Sequence, residues 1–128
     1  MEAQLFYKEF GRLLYAIAAA DGSVAAEEVA TLKRIVSEQL VPLEASTDQF
    51  GTDQAFITEF EFDVLADRSA SAEGAFDSFI AYMSRHHNDL SPERRKMILK
   101  AADAVARAFH GKSKDEIPML RALRKQLG

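Results

Sequence analysis

Apolar residues recur at spacings of three and four along almost the whole chain, a period that leaves room for little except packed helices. Phe6, Phe10, Leu13, Leu14 and Ile17 fall on one face and predict a helix over residues 2–20. Gly11 is the weak point of that helix, and a glycine there suits close helix packing. Val29, Leu32, Ile35, Val36 and Leu40 predict a second helix over 26–40. Pro42 ends it, because the residue before a proline is biased away from helix.

Residues 42–52, "PLEASTDQFGT", read as a loop with turn chemistry at Asp48 and Gly51. The next segment fits two patterns. Phe60, Phe62 and Val64 alternate as in a strand, whereas Phe56, Phe60 and Val64, with Ile57 and Leu65, fit a helix. A lone strand over 56–65 would have no pairing partner, so a helix is expected through the segment 52–68, with Thr52 as its N-cap. Ser69 and Ser71 offer caps to a fourth helix carrying Phe76, Phe79, Ile80 and Met83, closed by Asn88-Asp89. "SPER", residues 91–94, starts a fifth, with Ser91 as cap and Pro92 in the first helical position. That helix carries Ile98, Ala101, Ala102, Val105, Ala108 and Phe109 and stops at Gly111. Ser113 to Glu116 forms a capping-box pattern for a sixth, with Ile117, Leu120, Leu123 and Leu127 on its apolar face.

A length of 128 residues suits one domain spanning 1–128, and 48% hydrophobic with 28% charged residues is an ordinary globular composition. The chain has no cysteine, which excludes disulfides, zinc-thiolate sites and cysteine nucleophiles and is compatible with a cytoplasmic location. No apolar run approaches the ~20 residues of a membrane span. The N-terminal stretch carries Glu2, Lys8 and Glu9 rather than a basic leader, so no signal peptide is expected. The net charge of −4 is unevenly distributed. Residues 1–64 hold 4 Lys/Arg and 12 Asp/Glu, and residues 65–128 hold 12 and 8. An acidic side and a basic side are therefore expected, with solvated helix faces as the plain reading and a cation- or partner-binding acidic face as the sharper one. A weak homodimer between the two sides would be compatible with this pattern. The basic half carries no nucleic-acid-binding motif and is only mildly basic, so nucleic acid is not an expected partner.

"AAADGSVAAEEV", residues 18–29, resembles the second half of a calcium-binding EF-hand loop. With Glu28 at loop position twelve, Gly22 and Val24 fall where such a loop needs glycine and an apolar residue. Positions one and three would then be Ile17 and Ala19, which cannot ligate, and too few oxygens remain for calcium. A helix corner accounts well for Gly22, Val24 and Glu28 and less well for Asp21, since Asp is only mildly preferred there. Asp21 with Glu27 or Glu28 could still share a divalent cation with a second element, and carboxylate oxygens suit calcium, magnesium or manganese. Glu59, Glu61, Asp63 and Asp67 are the acids best placed to complete such a site, although a solvated face explains them more simply.

Other site patterns fail. His86 and His87 project about 100° apart on a helix and suit its C-terminus as surface residues rather than a chelating pair. His110 lies at a second helix corner and has no such context. "GKS", 111–113, lacks the glycine of a phosphate loop at Ala106 and follows a helix. No Glu-x-x-His, His-Glu-x-x-His or Gly-x-Ser-x-Gly occurs, and no cofactor motif or nucleophile–base pair stands out. The chain is read as non-enzymatic; a dedicated metal-binding or metal-sensing protein is the alternative, and an enzyme with an acidic site is the weakest reading.

Residues 16–36 lie over 104–124 without a gap, at an offset of 88. Ala16, Ala18, Ala20, Glu28 and Leu32 meet identical residues, and Ile17, Glu27, Val29, Lys33 and Ile35 meet similar ones. Phe109 stands opposite Asp21, so the second corner lacks the turn carboxylate. Two helix–corner–helix units packed on their Ala-rich faces would give an approximate twofold.

The Ala-rich helix, the segment "AAADGSVAAEEV" and its degenerate copy resemble the TerB-like superfamily of tellurite-resistance proteins. The resemblance implies an all-α, compact bundle of about six to seven helices with a pseudo-twofold repeat. It implies a bacterial, cytoplasmic protein of a stress or tellurite-resistance system, with metal binding proposed for the family. The family's corner acids correspond to Asp21 and Glu28, with Glu27 beside them, and in the second unit to Glu116 alone, flanked by Asp115. The resulting expectation is a module that binds a partner protein through its acidic surface, with a divalent cation at Asp21, Glu27 and Glu28.

Overall fold

The computed structural model describes residues 3–20, 29–35, 49–86, 88, 90–109 and 116–127. Within them the chain is helical throughout, with six helices and no strand. They are α1 (Ala3–Ala18), α2 (residues 29–35), α3 (Gln49–Asp67), α4 (Ala72–Arg85), α5 (Pro92–Phe109) and α6 (Glu116–Leu127).

α1 is the centre of the packing. α3, α4 and α5 all pack against it, and α6 packs on α4 and α5. The expected stripe of Phe6, Phe10, Leu13, Leu14 and Ile17 is fully buried, but so are Tyr7, Tyr15, Ala16 and Ala18 on other faces. A helix enclosed on several sides needs apolar or small residues over most of its circumference, and α1 has them except on the side of Lys8 and Arg12. Phe6 stacks on Phe10 and meets Tyr7 edge-on, while the Arg94 guanidinium of α5 lies 4.7 Å from the Phe6 ring centroid.

The remaining stripes bury as their spacing predicts. Leu32 and Ile35 of α2, Phe76, Phe79 and Met83 of α4, Ile98, Ala101, Ala102 and Val105 of α5, and Leu120, Leu123 and Leu127 of α6 all join the core. The caps are those expected where they are described. Ser71 Oγ accepts the Gly74 N–H at 3.1 Å, and Ser91 Oγ accepts the Arg94 N–H at 3.2 Å. Ser69, in the turn before α4, has a φ of 50° and sits in the left-handed region. α4 ends at Arg85, before Asn88, with His86 as its C-cap.

α3 corrects two expectations. It starts at Gln49, so Thr52 lies inside the helix and is not its cap, and residues 49–52 are not loop. Gly51 falls in the opening turn, where a glycine costs the helix about 1 kcal/mol at most and does not stop it. The second correction concerns facing. Thr58, Glu61, Phe62 and Leu65 turn inward, while Phe60 is 58% exposed. Apolar residues stand on every side of this helix, so periodicity alone cannot choose the buried one.

Candidate functional site

The expected cation ligands Asp21, Glu27 and Glu28 lie outside the described residues, as do His87 and His110. Their intended partners on α3 are described. Glu59, Asp63 and Asp67 recur every four residues on one face, and α2 lies alongside, with Lys33 Nζ 3.2 Å from Asp63 Oδ2. Burial pushes the Glu59 carboxyl above its usual range; Lys33 pulls it down and the neighbouring Asp63 pushes it up again. Two carboxylates and one ammonium therefore meet at the α2–α3 contact, leaving Asp63 42% exposed at its side chain.

Glu61, expected on a solvated face with the other acids, is instead buried and part of a polar cluster that crosses three helices. Arg12 of α1 donates from Nε to Glu61 Oε2 of α3 at 2.7 Å and from Nη1 to Glu9 Oε2 at 2.9 Å. Ser78 of α4 closes the cluster: its Oγ accepts from Arg12 Nη1 at 2.9 Å and donates to Glu9 Oε1 at 2.9 Å. Partial burial works against the guanidinium charge, yet the Glu61 hydrogen bond and the fields of Glu9 and Glu61 outweigh it and raise Arg12 above its ordinary value. A buried charge of this kind is tolerated only when paired and hydrogen-bonded, and each of these three is.

The close approach of α1 to α3 that this cluster needs comes from Gly11. A Cβ there would stand 2.6 Å from the Thr58 carbonyl oxygen and 3.1 Å from Glu61 Cβ. Thr58, fully buried, donates from Oγ1 to the Tyr7 carbonyl at 3.2 Å along the same seam. Tyr15 Oη donates to the Ala70 carbonyl at 2.7 Å, which ties the α3–α4 link to α1, and burial raises the Tyr15 hydroxyl above its usual pKa.

Over this seam α1, α3 and α4 leave an open groove of about 490 Å³. Phe60, Val64, Ala70 and Ala75 give it apolar walls, Lys8 and Arg68 stand along it, and Arg12 and Glu61 lie in it. The sequence signal for the cluster is confined to Arg12, a charge between Phe10 and Leu13; Glu61 lies between two phenylalanines, but Asp63 likewise lies between Phe62 and Val64. The His86 ring lies against Tyr82, with centroids 4.5 Å apart, and its backbone N–H caps α4. Among the described residues no group of three His, Asp or Glu is placed to hold a metal ion, and no helix is long and apolar enough to cross a membrane.

Compared with known proteins, the chain matches no family model, no curated protein and no solved structure.

Proposed function

We propose that this chain is a non-enzymatic, TerB-like helical module of a bacterial stress or tellurite-resistance system. In this reading it binds a partner protein through its acidic surface, with a divalent cation held at the Asp21-Gly22 corner by Asp21, Glu27 and Glu28. The observation that carries the reading is the acidic stripe of Glu59, Asp63 and Asp67 beside α2, the helix that follows that corner. Glu59 already resists ionisation there. A cation or a basic partner residue brought to the stripe would lower that resistance, so the stripe has a physical reason to favour positive ligands.

The repeat behind the family resemblance has support in burial. Ile17 and Val105, Ala18 and Ala106, Leu32 and Leu120, and Ile35 and Leu123 are buried at both members of each pair, while Lys33 and Arg121 are both exposed. These pairs support the reading of two amphipathic units at an offset of 88, although Ala19 is buried where Arg107 is exposed.

Two measurements test the two halves of this proposal. Titration calorimetry with calcium, magnesium and manganese should give binding to the wild-type chain that Asp21→Ala and Glu28→Ala abolish. No heat at millimolar ion ends the cation claim. Proteins cross-linked to the wild-type chain in a bacterial extract should be lost with Asp63→Asn/Asp67→Asn, and a set that is unchanged ends the acidic-surface claim.

A further inference from the structure

The groove between α1, α3 and α4 faces a different side of α3 from the acidic stripe. At about 100° per residue, Phe60, Val64 and Arg68 form a row next to that of Glu59, Asp63 and Asp67. The two rows differ in chemistry. Phe60 is a large aromatic at 58% exposure, and Val64 is half-buried in the same groove. Lys8 and Arg68 are exposed along the same groove, and neither forms an ion pair with a described residue. Arg12 is shared between Glu61 and Glu9 on the floor, and both carboxylates are buried, so neither acid faces the solvent in the groove. The solvent-facing charge of the groove is therefore positive on a chain whose net charge is −4.

We propose that this groove docks a linear acidic segment of a partner protein, with one apolar side chain of the segment against Phe60 and Val64 and flanking carboxylates on Lys8 and Arg68. Charge complementarity selects the occupant. A basic segment would meet two uncompensated cations, and a neutral apolar one would leave them unused. The volume of about 490 Å³ takes a short stretch of side chains rather than a folded face. This inference does not rest on the acidic-surface reading, because it uses other residues and the opposite charge.

The test is selection from a phage-displayed library of random 12-residue peptides on the full chain, followed by NMR titration with a synthesised winner. Enriched peptides are expected to carry Leu, Met or Phe flanked by Asp or Glu and to shift the amides of Phe60, Val64, Ala70 and Ala75. Lys8→Glu/Arg68→Glu should weaken binding about tenfold or more, and Phe60→Ser by a similar factor. All three positions are exposed, so these variants should keep the wild-type helical signal. Asp63→Asn/Asp67→Asn should leave peptide affinity unchanged, which separates this groove from the acidic stripe. No enrichment, enrichment of basic or uncharged peptides, or affinity unmoved by the charge reversals would overturn the proposal. Groove signals that shift on dilution of the free chain alone would assign the surface to a second copy and overturn it as well.

Discussion

Gly11 fixes how near α1 and α3 can come. Alanine is the better helix former by about 1 kcal/mol, so an isolated helix would gain from Gly11→Ala. Here the added Cβ would meet a backbone carbonyl at 2.6 Å, and backbone cannot swing aside as a side chain can. The helices must part, which loosens the Thr58–Tyr7 hydrogen bond and the Arg12–Glu61 pair together. Gly11→Ala should therefore lower stability by about 2 kcal/mol in urea denaturation, against the propensity scale. A second residue-scale prediction concerns Glu59, whose folded pKa is raised chiefly by burial. For an acid raised in this way the ionised form carries a cost, incurred above the folded pKa and absent below the unfolded one, near about 4.3. Glu59→Gln should raise the melting temperature at pH 7 and lose that advantage as the pH falls towards 4. Solvent screening keeps the gain small, because Glu59 is only partly buried.

Three helices meet at the Arg12 cluster, and their dependence on it can be separated from simple loss of charge. Arg12→Ala would strand Glu9 and Glu61, both buried, without their cation. Breaking a pair in this way is destabilising by about 3 kcal/mol, towards the low end because the guanidinium reaches solvent. Adding Glu9→Gln and Glu61→Gln removes the stranded charges, so the triple variant should recover most of the loss in thermal melts. A triple variant less stable than Arg12→Ala would mean that the cluster acts through packing and not through charge. This element scale is also where the sequence was least legible. The faces of α1, α4, α5 and α6 follow from their spacing, because each has a polar side for contrast. α3 has apolar residues all round and acids at 59, 61, 63 and 67, so nothing local distinguishes Glu61 from its neighbours. Only the arrival of Arg12 from another helix makes that position a buried one. Gly11 was legible as a packing residue for the opposite reason, since its effect depends on absent atoms rather than on a partner. The Asp21, Glu27 and Glu28 corner was legible as a motif and remains a motif, because its residues lie outside the described ones.

At the scale of the molecule, the arrangement around α1 predicts an order of opening. Among the described residues α1 is covered by α3, α4 and α5, whereas α6 rests on α4 and α5 without a substantial contact to α1. Native proteins open first where buried apolar contact is thinnest, and each cooperative unit exchanges its amides with its own free energy. Amides of Leu13 to Ile17, in a helix whose buried residues are nearly all below 5% exposure, should exchange only through global unfolding. Those of α6 should exchange sooner, through a partial opening in which the α6 contacts to α4 and α5 are lost and α1 stays enclosed. Leu123, fully buried on α6, sets the size of that step. Leu123→Ala should lower α6 protection by about 3 kcal/mol, whereas Leu13→Ala should lower protection throughout by a similar amount. Hydrogen exchange read by NMR distinguishes the two patterns residue by residue. If α6 and α1 lose protection together in Leu123→Ala, the six helices form one cooperative unit and α6 is as much part of the core as the helix it never substantially touches.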